Sequence, residues 1–253
     1  LYAKKKLTPQ GEVNITINDD KELTVNPGET LLTTLGQNDI FLPSACGGQG
    51  TCGTCSCQIH EGAGDILSTE KGFFSRKEQQ NDWRLSCQVK VKDDMKISVP
   101  EEIFGIKKWQ CEVVSNKNVA TFIKEFVVKL PEGEDLNFRP GGYIQIDIPK
   151  YNLDFSKDIE VEDEYREDWD NSGLFNLTAK NSEEIFRAYS MANHPGEGNI
   201  IKLNVRIATP PWDREKNRFM NIPPGIASSY IFSLKPGDKV DISGPYGDFF
   251  IKD

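Results

Sequence analysis

The stretches EVNITIN and KELTVN carry apolar residues at every second position, the period of a strand with one buried face. Asp19 and Asp20 between them mark a hairpin turn. The period then changes. In GETLLTTLGQN, Leu31, Leu32 and Leu35 recur at helical spacing with Gly36 near the end, which predicts a short helix. CSCQIHEG returns to alternation, STEKGFFSRKEQQND is helical in part, and LSCQVKVKDDMKISV alternates again up to Pro100.

Hairpin, helix, loop, strand, helix and closing strand is a β-grasp order, assigned to residues 1–104. From 105 to 253 the pattern is mostly antiparallel β: QCEVVSN, ATFIKEFVVKL, GYIQIDIP, RAYSMA, IIKLNVRIAT and DKVDISGPYG are strand-like. PGIASSYIFSL, opened by Pro223-Pro224-Gly225, is the one good helix candidate there. Such a series predicts a Greek-key β-barrel with a helix over one end, so the expected class is α+β in two domains. Between two strands lies DFSKDIEVEDEYREDWDNSG, dense in carboxylates and without a clear period. It reads as a solvated surface loop, with a docking surface for a basic partner as the functional alternative.

Charge and composition exclude some classes. A net charge of −9 argues against nucleic acid as a partner, and 37% hydrophobic with 27% charged residues fits a globular rather than a disordered chain. No apolar run approaches the roughly 20 residues a membrane helix needs. The chain opens at Leu1 with Lys4, Lys5 and Lys6 close behind. Lysine clusters flank membrane helices on their cytoplasmic side, so an N-terminal anchor is expected ahead of the triplet; a solvated basic tail is the plainer reading.

Chemistry concentrates in CGGQGTCGTCSC. Six cysteines so clustered, without a secretion signal, point to metal and a reducing compartment rather than a disulfide scaffold. Cys46, Cys52 and Cys55 have the spacing C-x5-C-x2-C, and a lone fourth thiol, Cys87, comes later in RLSCQV. Structural zinc sites take two close pairs, whereas a [2Fe–2S] cluster takes four thiolates, two per iron. Three ligands from one loop and one from a distant strand fit the cluster. Gly47, Gly48, Gly50 and Gly53 permit positive φ and let loop N–H groups turn towards sulfur. Cys57 and Cys111 read as buried packing residues.

Three weaker patterns come next along the chain. RAYS puts Arg187 and Tyr189 on one face of a strand and Ser190 on the other, a cation and a ring suited to a diphosphate and a flat ring system. Gly225 and Ser228 in PPGIASSY form G-x-x-S at a helix start, where N–H groups favour an anion. SGPYGDFF supplies a turn, Gly244 to Gly247.

The first half resembles the [2Fe–2S] ferredoxin domain of flavin-dependent reductases, with a loop one residue longer than the plant-type C-x4-C-x2-C. The second resembles the FAD-binding domain of the ferredoxin–NADP reductase superfamily. Together with RAYSMAN, LNVRIATPPW, SLKPGDKV and the acidic insertion, the chain is similar throughout to the family of F subunits of sodium-translocating NADH:quinone oxidoreductases. The resemblance implies that Cys46, Cys52, Cys55 and Cys87 ligate the cluster. It implies that Arg187 binds the FAD pyrophosphate, Tyr189 packs on the isoalloxazine, Ser190 lies near its N5 edge, and Gly225 and Ser228 hold the pyrophosphate. It implies an electron path from NADH to FAD, to the cluster, and on to other subunits of a membrane redox complex at the cytoplasmic face of the bacterial inner membrane. Two family parts are absent from the sequence as it stands: the N-terminal membrane helix and a C-terminal NAD-binding domain, since PGEGN has the wrong spacing and context for a G-x-G-x-x-G fingerprint. Both are expected beyond its ends. A soluble reductase feeding an oxygenase and a zinc-stabilised interaction protein are the alternatives.

Overall fold

The computed structural model describes residues 11–247, so Lys4, Lys5 and Lys6, and Asp248 onwards, lie outside it. The chain divides into two compact units between Lys107 and Lys108.

In the first unit β1 (Val13–Ile17) and β2 (Lys21–Val25) form the expected hairpin, with Ile15 opposite Leu23. Asn18 and Asp19 turn it at φ 52° and 60°, a left-handed conformation these two residue types tolerate. α1 (Leu31–Gly36) buries Leu31, Leu32 and Leu35, and the Thr30 hydroxyl caps it by accepting from the Thr33 N–H. β3 (Ser56–Glu61), β4 (Trp83–Leu85) and β5 (Met95–Ser98) complete a mixed sheet of order β2-β1-β5-β3-β4, with the short helix α2 (Arg76–Gln80) between β3 and β4. β1 and β5 run parallel; β3 is antiparallel to both β4 and β5.

LSCQVKVKDDMKISV is not one strand. β4 stops at Leu85 and a turn carries Ser86, Cys87 and Gln88, closed by the Gln88 N–H on the Leu85 carbonyl at 2.8 Å. The backbone there serves other partners: the Ser86 N–H bonds the Cys55 carbonyl, and Ser86 and Val89 carbonyls accept from Leu32 and Leu31. Cys87 therefore sits on a turn, not on a strand.

The second unit is built on a six-stranded sheet. Its strands are β6 (Lys107–Ala120), β7 (Ile123–Lys129), β8 (Tyr143–Ile148), β11 (Ile185–Ser190), β12 (Ile200–Arg206) and β15 (Lys239–Tyr246). Their order is β11-β8-β15-β6-β7-β12. Alternate residues such as Val113, Phe126, Ile144, Ile146, Leu203 and Ile242 fill the core. α5 (Ile226–Ser233) adds Ile231 and Phe232 to it. The edge strands β11 and β12 are not laddered to each other as a closed barrel requires. The segment after β11 meets β12 instead, through the Ala192 N–H on the Lys202 carbonyl (2.8 Å) and through Asn193, which accepts from Lys202 N–H and donates to the Ile200 carbonyl.

The acidic stretch is structured, contrary to the expectation of a loop. β9 (Tyr151–Asp154) pairs with β10 (Thr178–Asn181), and between them lie α3 (Phe155–Asp158) and α4 (Asp163–Ser172). Phe155, Ile159, Val161, Trp169 and Leu174 are buried. Their anchoring is hidden in the sequence by the carboxylates around them, of which Asp163, Glu164, Glu167, Asp168 and Asp170 are exposed. Asp163 and Glu164 in the first turn of α4 favour its dipole, and Gly173 at φ 70° ends it. Residues 244–246 continue β15 rather than forming a free turn; Tyr246 lies opposite Tyr143 after a register shift, the rings 5.3 Å apart. The short pair β13 (Trp212–Asp213) and β14 (Arg218–Phe219) completes the unit. Among the described residues no helix is long and apolar enough to cross a membrane.

Candidate cluster and flavin sites

The loop between α1 and β3 is held from within. Ser44, fully buried, accepts the Gly48 N–H on its hydroxyl at 2.9 Å, and Thr54 accepts the Ala45 N–H at 3.0 Å. Gly47, Gly48, Gly50 and Gly53 all have φ between 66° and 83°, as the sequence led us to expect. At Gly50 a Cβ would lie 2.6 Å from the Gln88 amide nitrogen. That amide in turn stands 3.6 Å from the Cys87 sulfur. Glycine at 50 thus lets the loop close over the Cys87 turn.

The loop and the turn bring the four predicted thiols together in two pairs. The Cys52 Sγ lies 3.3 Å from the Cys46 Sγ, and Cys55 and Cys87 are hydrogen-bonded to each other. Burial opposes ionisation of Cys46, but donors from Thr51, Cys52 and the Gln49 N–H outweigh it and bring its thiol down to about 6. Cys87 is drawn down to about 7, chiefly by the Cys55 thiol and against burial, with help from the Gln88 amide and the Gly50 N–H. Cys55 goes the other way, pushed up by the Cys87 thiol and by burial. Thiolates surrounded by N–H donors suit an iron–sulfur cluster. Two pairs of thiols are the donor set that a group with two irons takes, two thiolates on each.

Cys57 and Cys111 are apart from these pairs. Both are fully buried, and burial pushes each thiol up to about 12.

In the second unit RAYS lies on edge strand β11. The Arg187 Nη1 rests on the Phe186 carbonyl at 2.7 Å, Tyr189 is half-buried, and Ser190 is exposed. The start of α5 is locked to Ala208: the Gly225 N–H donates to its carbonyl at 2.7 Å, and its N–H donates to the Ser228 hydroxyl at 3.0 Å. That hydroxyl also donates to the Gly225 carbonyl. Ser228 therefore turns inward and shapes the helix start with its side chain. A Cβ on Gly225 would meet the Ala208 Cβ at 2.6 Å, so glycine is required there by close approach.

Comparison with known proteins bears on both sites. Residues 15–92 match the family described as a 2Fe-2S iron-sulfur cluster binding domain, and residues 172–251 match the oxidoreductase FAD-binding domain. The whole chain is 55% identical to the F subunit of the Na(+)-translocating NADH-quinone reductase of Idiomarina loihiensis, covering 61% of that protein. It is 55% identical to the corresponding F subunit of Neisseria gonorrhoeae, again covering 61%.

The chain is a homologue of these F subunits.

It spans about three fifths of their length. It carries a cluster-binding domain followed by an FAD-binding domain, the order that the sequence resemblance implies. Among solved structures, the cytochrome P450 reductase GcoB of Amycolatopsis shares the fold at TM-score 0.53 and 21% identity, over 95% of this chain and 59% of that one.

Two features of this F-subunit homologue were not visible in sequence reasoning. Arg84 and Glu70 form a buried ion pair at 2.7 Å. Arg84 also donates to the Ala63 and Gly64 carbonyls, and Glu70 accepts the Leu85 and Leu67 N–H groups. This pair fixes the strand that leads into the Cys87 turn. A charged residue inside WRLSC is the one signal, but nothing in the sequence joins it to a partner fourteen positions away. Tyr151 is the second: its hydroxyl donates to the Ile226 carbonyl at 2.5 Å and its ring stacks on Tyr230.

Proposed function

We propose that this chain relays electrons between bound FAD and a [2Fe–2S] cluster, as the electron-input part of a sodium-translocating NADH–quinone reductase. The observation that carries the reading is the convergence of four thiols in two pairs, in a chain whose second unit carries an FAD-binding domain. Cys46, Cys52, Cys55 and Cys87 would hold the cluster. When bound, FAD supplies an acceptor for hydride from NADH and the cluster supplies one-electron transfer; the protein supplies position and electrostatics.

The residues present fit these groups. Arg187 offers a fixed cation for the pyrophosphate, and the first N–H groups of α5 point along the helix axis to the same kind of anion. Gly225 and Ser228 set that helix start through Ala208. Tyr189 presents a half-buried ring for the isoalloxazine, and Ser190 stands exposed beside it. In the cluster loop, N–H groups and the Gln88 amide compensate the charge of thiolates removed from water. No proton-transfer residue is required.

NADH, quinone, the other subunits and a place at the cytoplasmic face of the inner membrane belong to this same reading. It rests on the names and the greater length of the relatives. Assay of iron, acid-labile sulfide and flavin in the purified protein, with its visible and electron paramagnetic resonance (EPR) spectra, tests it. A yellow-brown protein bleached by dithionite is expected; a colourless protein holding zinc would overturn it. Cys87→Ala should abolish the cluster signal and leave the flavin bound. An unchanged signal would reassign the fourth ligand.

A further inference from the structure

α5 is gripped at both ends by side chains outside it. At its first turn, the Tyr151 hydroxyl donates to the Ile226 carbonyl at 2.5 Å, and the Tyr151 ring stacks on Tyr230 with centroids 5.9 Å apart. Burial, and then the neighbouring Tyr189 phenol, hold the Tyr151 hydroxyl protonated well above the usual range. Tyr151 thus ties the helix start through both its hydroxyl and its ring.

The last turn is held by two buried residues of the sheet. Asn116 on β6 donates to the Ile231 and Leu234 carbonyls at 2.6 and 2.8 Å. Lys124 on β7, 2% exposed, donates to the Phe232 carbonyl at 3.4 Å, the Asn116 carbonyl at 3.5 Å and the Glu160 carbonyl at 2.6 Å. Its ammonium also lies over the Phe232 ring, 5.3 Å from the centroid. Burial lowers Lys124 to about 8, while Glu162 and Glu160 favour its charge. A cation at a helix C-terminus is well placed for the dipole and for carbonyls that lack helical partners. Glu160 is held a second time, by Lys235 on its carboxylate at 2.6 Å.

Tyr151 and Glu160 belong to one continuous segment, the acidic insertion together with the strands β9 and β10 that flank it. We propose that residues 151–181 are an internal brace for the flavin helix, with Tyr151 fixing its first turn and Glu160, through Lys124, fixing its last. The inference rests on the flavin reading above and gives the insertion a positioning role. Tyr151 and Lys124 touch the helix itself, so they act on the cofactor through its position. A helix free to shift by even a fraction of an ångström would spread its N–H groups over several positions and weaken their hold on a diphosphate.

The test titrates the full chain, freed of FAD, with FAD itself, reading the quenching of flavin fluorescence, while EPR monitors the cluster. Tyr151→Phe keeps the ring stack and removes one hydroxyl. Lys124→Met keeps most of the volume and removes the charge. Each should weaken FAD affinity by about five- to tenfold, the value of one or slightly more than one net hydrogen bond, with the cluster signal unchanged. Charge reversal on the exposed face of α4, Glu164→Lys with Glu167→Lys, should leave FAD affinity as it was. Wild-type protein that takes up no FAD would sink the flavin reading. Wild-type that binds FAD, with a folded Tyr151→Phe binding equally well, would overturn the brace. Reversed charges on α4 that weaken binding as much as the brace variants do would also overturn it. Should Lys124→Met fail to fold, Tyr151→Phe alone decides.

Discussion

At the residue scale, a single hydrogen atom at position 50 decides whether the cluster loop closes. Gly50 has φ 71° and a Cβ there would meet the Gln88 amide. Gly50→Ala therefore combines backbone strain of about 1 kcal/mol with displacement of a donor to Cys87. Reduced cluster occupancy per chain, read from iron and sulfide content, is the expected outcome. Adding Gln88→Ala should relieve the clash but not the strain, so occupancy should recover only in part. The three loop thiols and the four glycines were legible in the sequence, because their spacing is set by chemistry local to one loop. The turn that carries Cys87 was not: its alternating pattern is that of a strand, and the bonds that end the strand go to Cys55 and α1, distant in sequence. Ser228 shows the opposite case. G-x-x-S correctly marked a helix start, yet the hydroxyl serves Ala208 and Gly225.

At the element scale, β4 is fixed by a pair of charges. Glu70 is fully buried; burial alone would raise its carboxyl, but Arg84 and the Leu85 and Leu67 N–H groups hold it below its ordinary 4.5. A carboxylate whose folded pKa is depressed stabilises the fold above the unfolded pKa and loses that contribution as pH falls through the folded value. Acid unfolding of the first unit should thus steepen below about pH 4.5. Glu70→Gln should flatten that limb. It should also cost about 3–5 kcal/mol near neutrality, because Arg84 is left buried without its counter-charge. Denaturant midpoints across pH measure both. The insertion makes a parallel point: composition identified it as charged and exposed, while its fold depends on a few apolar anchors. Trp169, fully buried, donates to the Thr121 carbonyl at 2.5 Å. Trp169→Ala should destabilise the second unit by about 3–5 kcal/mol, seen as a lower unfolding midpoint.

At the scale of the whole molecule, each of the two units carries one of the two cofactor-binding domains. Loss of either group should accordingly leave the other in place. Arg187→Ala should release FAD by more than about tenfold, as expected for a charge-assisted contact to phosphate, without altering the EPR signal of the cluster. The class α+β and the order of the units were legible because periodicity reports strands and helices directly. Whether the barrel closes was not legible, since closure depends on two edge strands distant in sequence; among the described residues the segment after β11 meets β12 through Ala192 and Asn193. The division into units has a practical corollary in the two buried sulfurs that lie outside the thiol pairs. Cys57 is sealed inside the first unit and Cys111 inside the second, both inert while packed. Each becomes alkylatable only when its own unit opens. Timed exposure to iodoacetamide, read by mass spectrometry, would clock the opening of the two halves separately within a single sample.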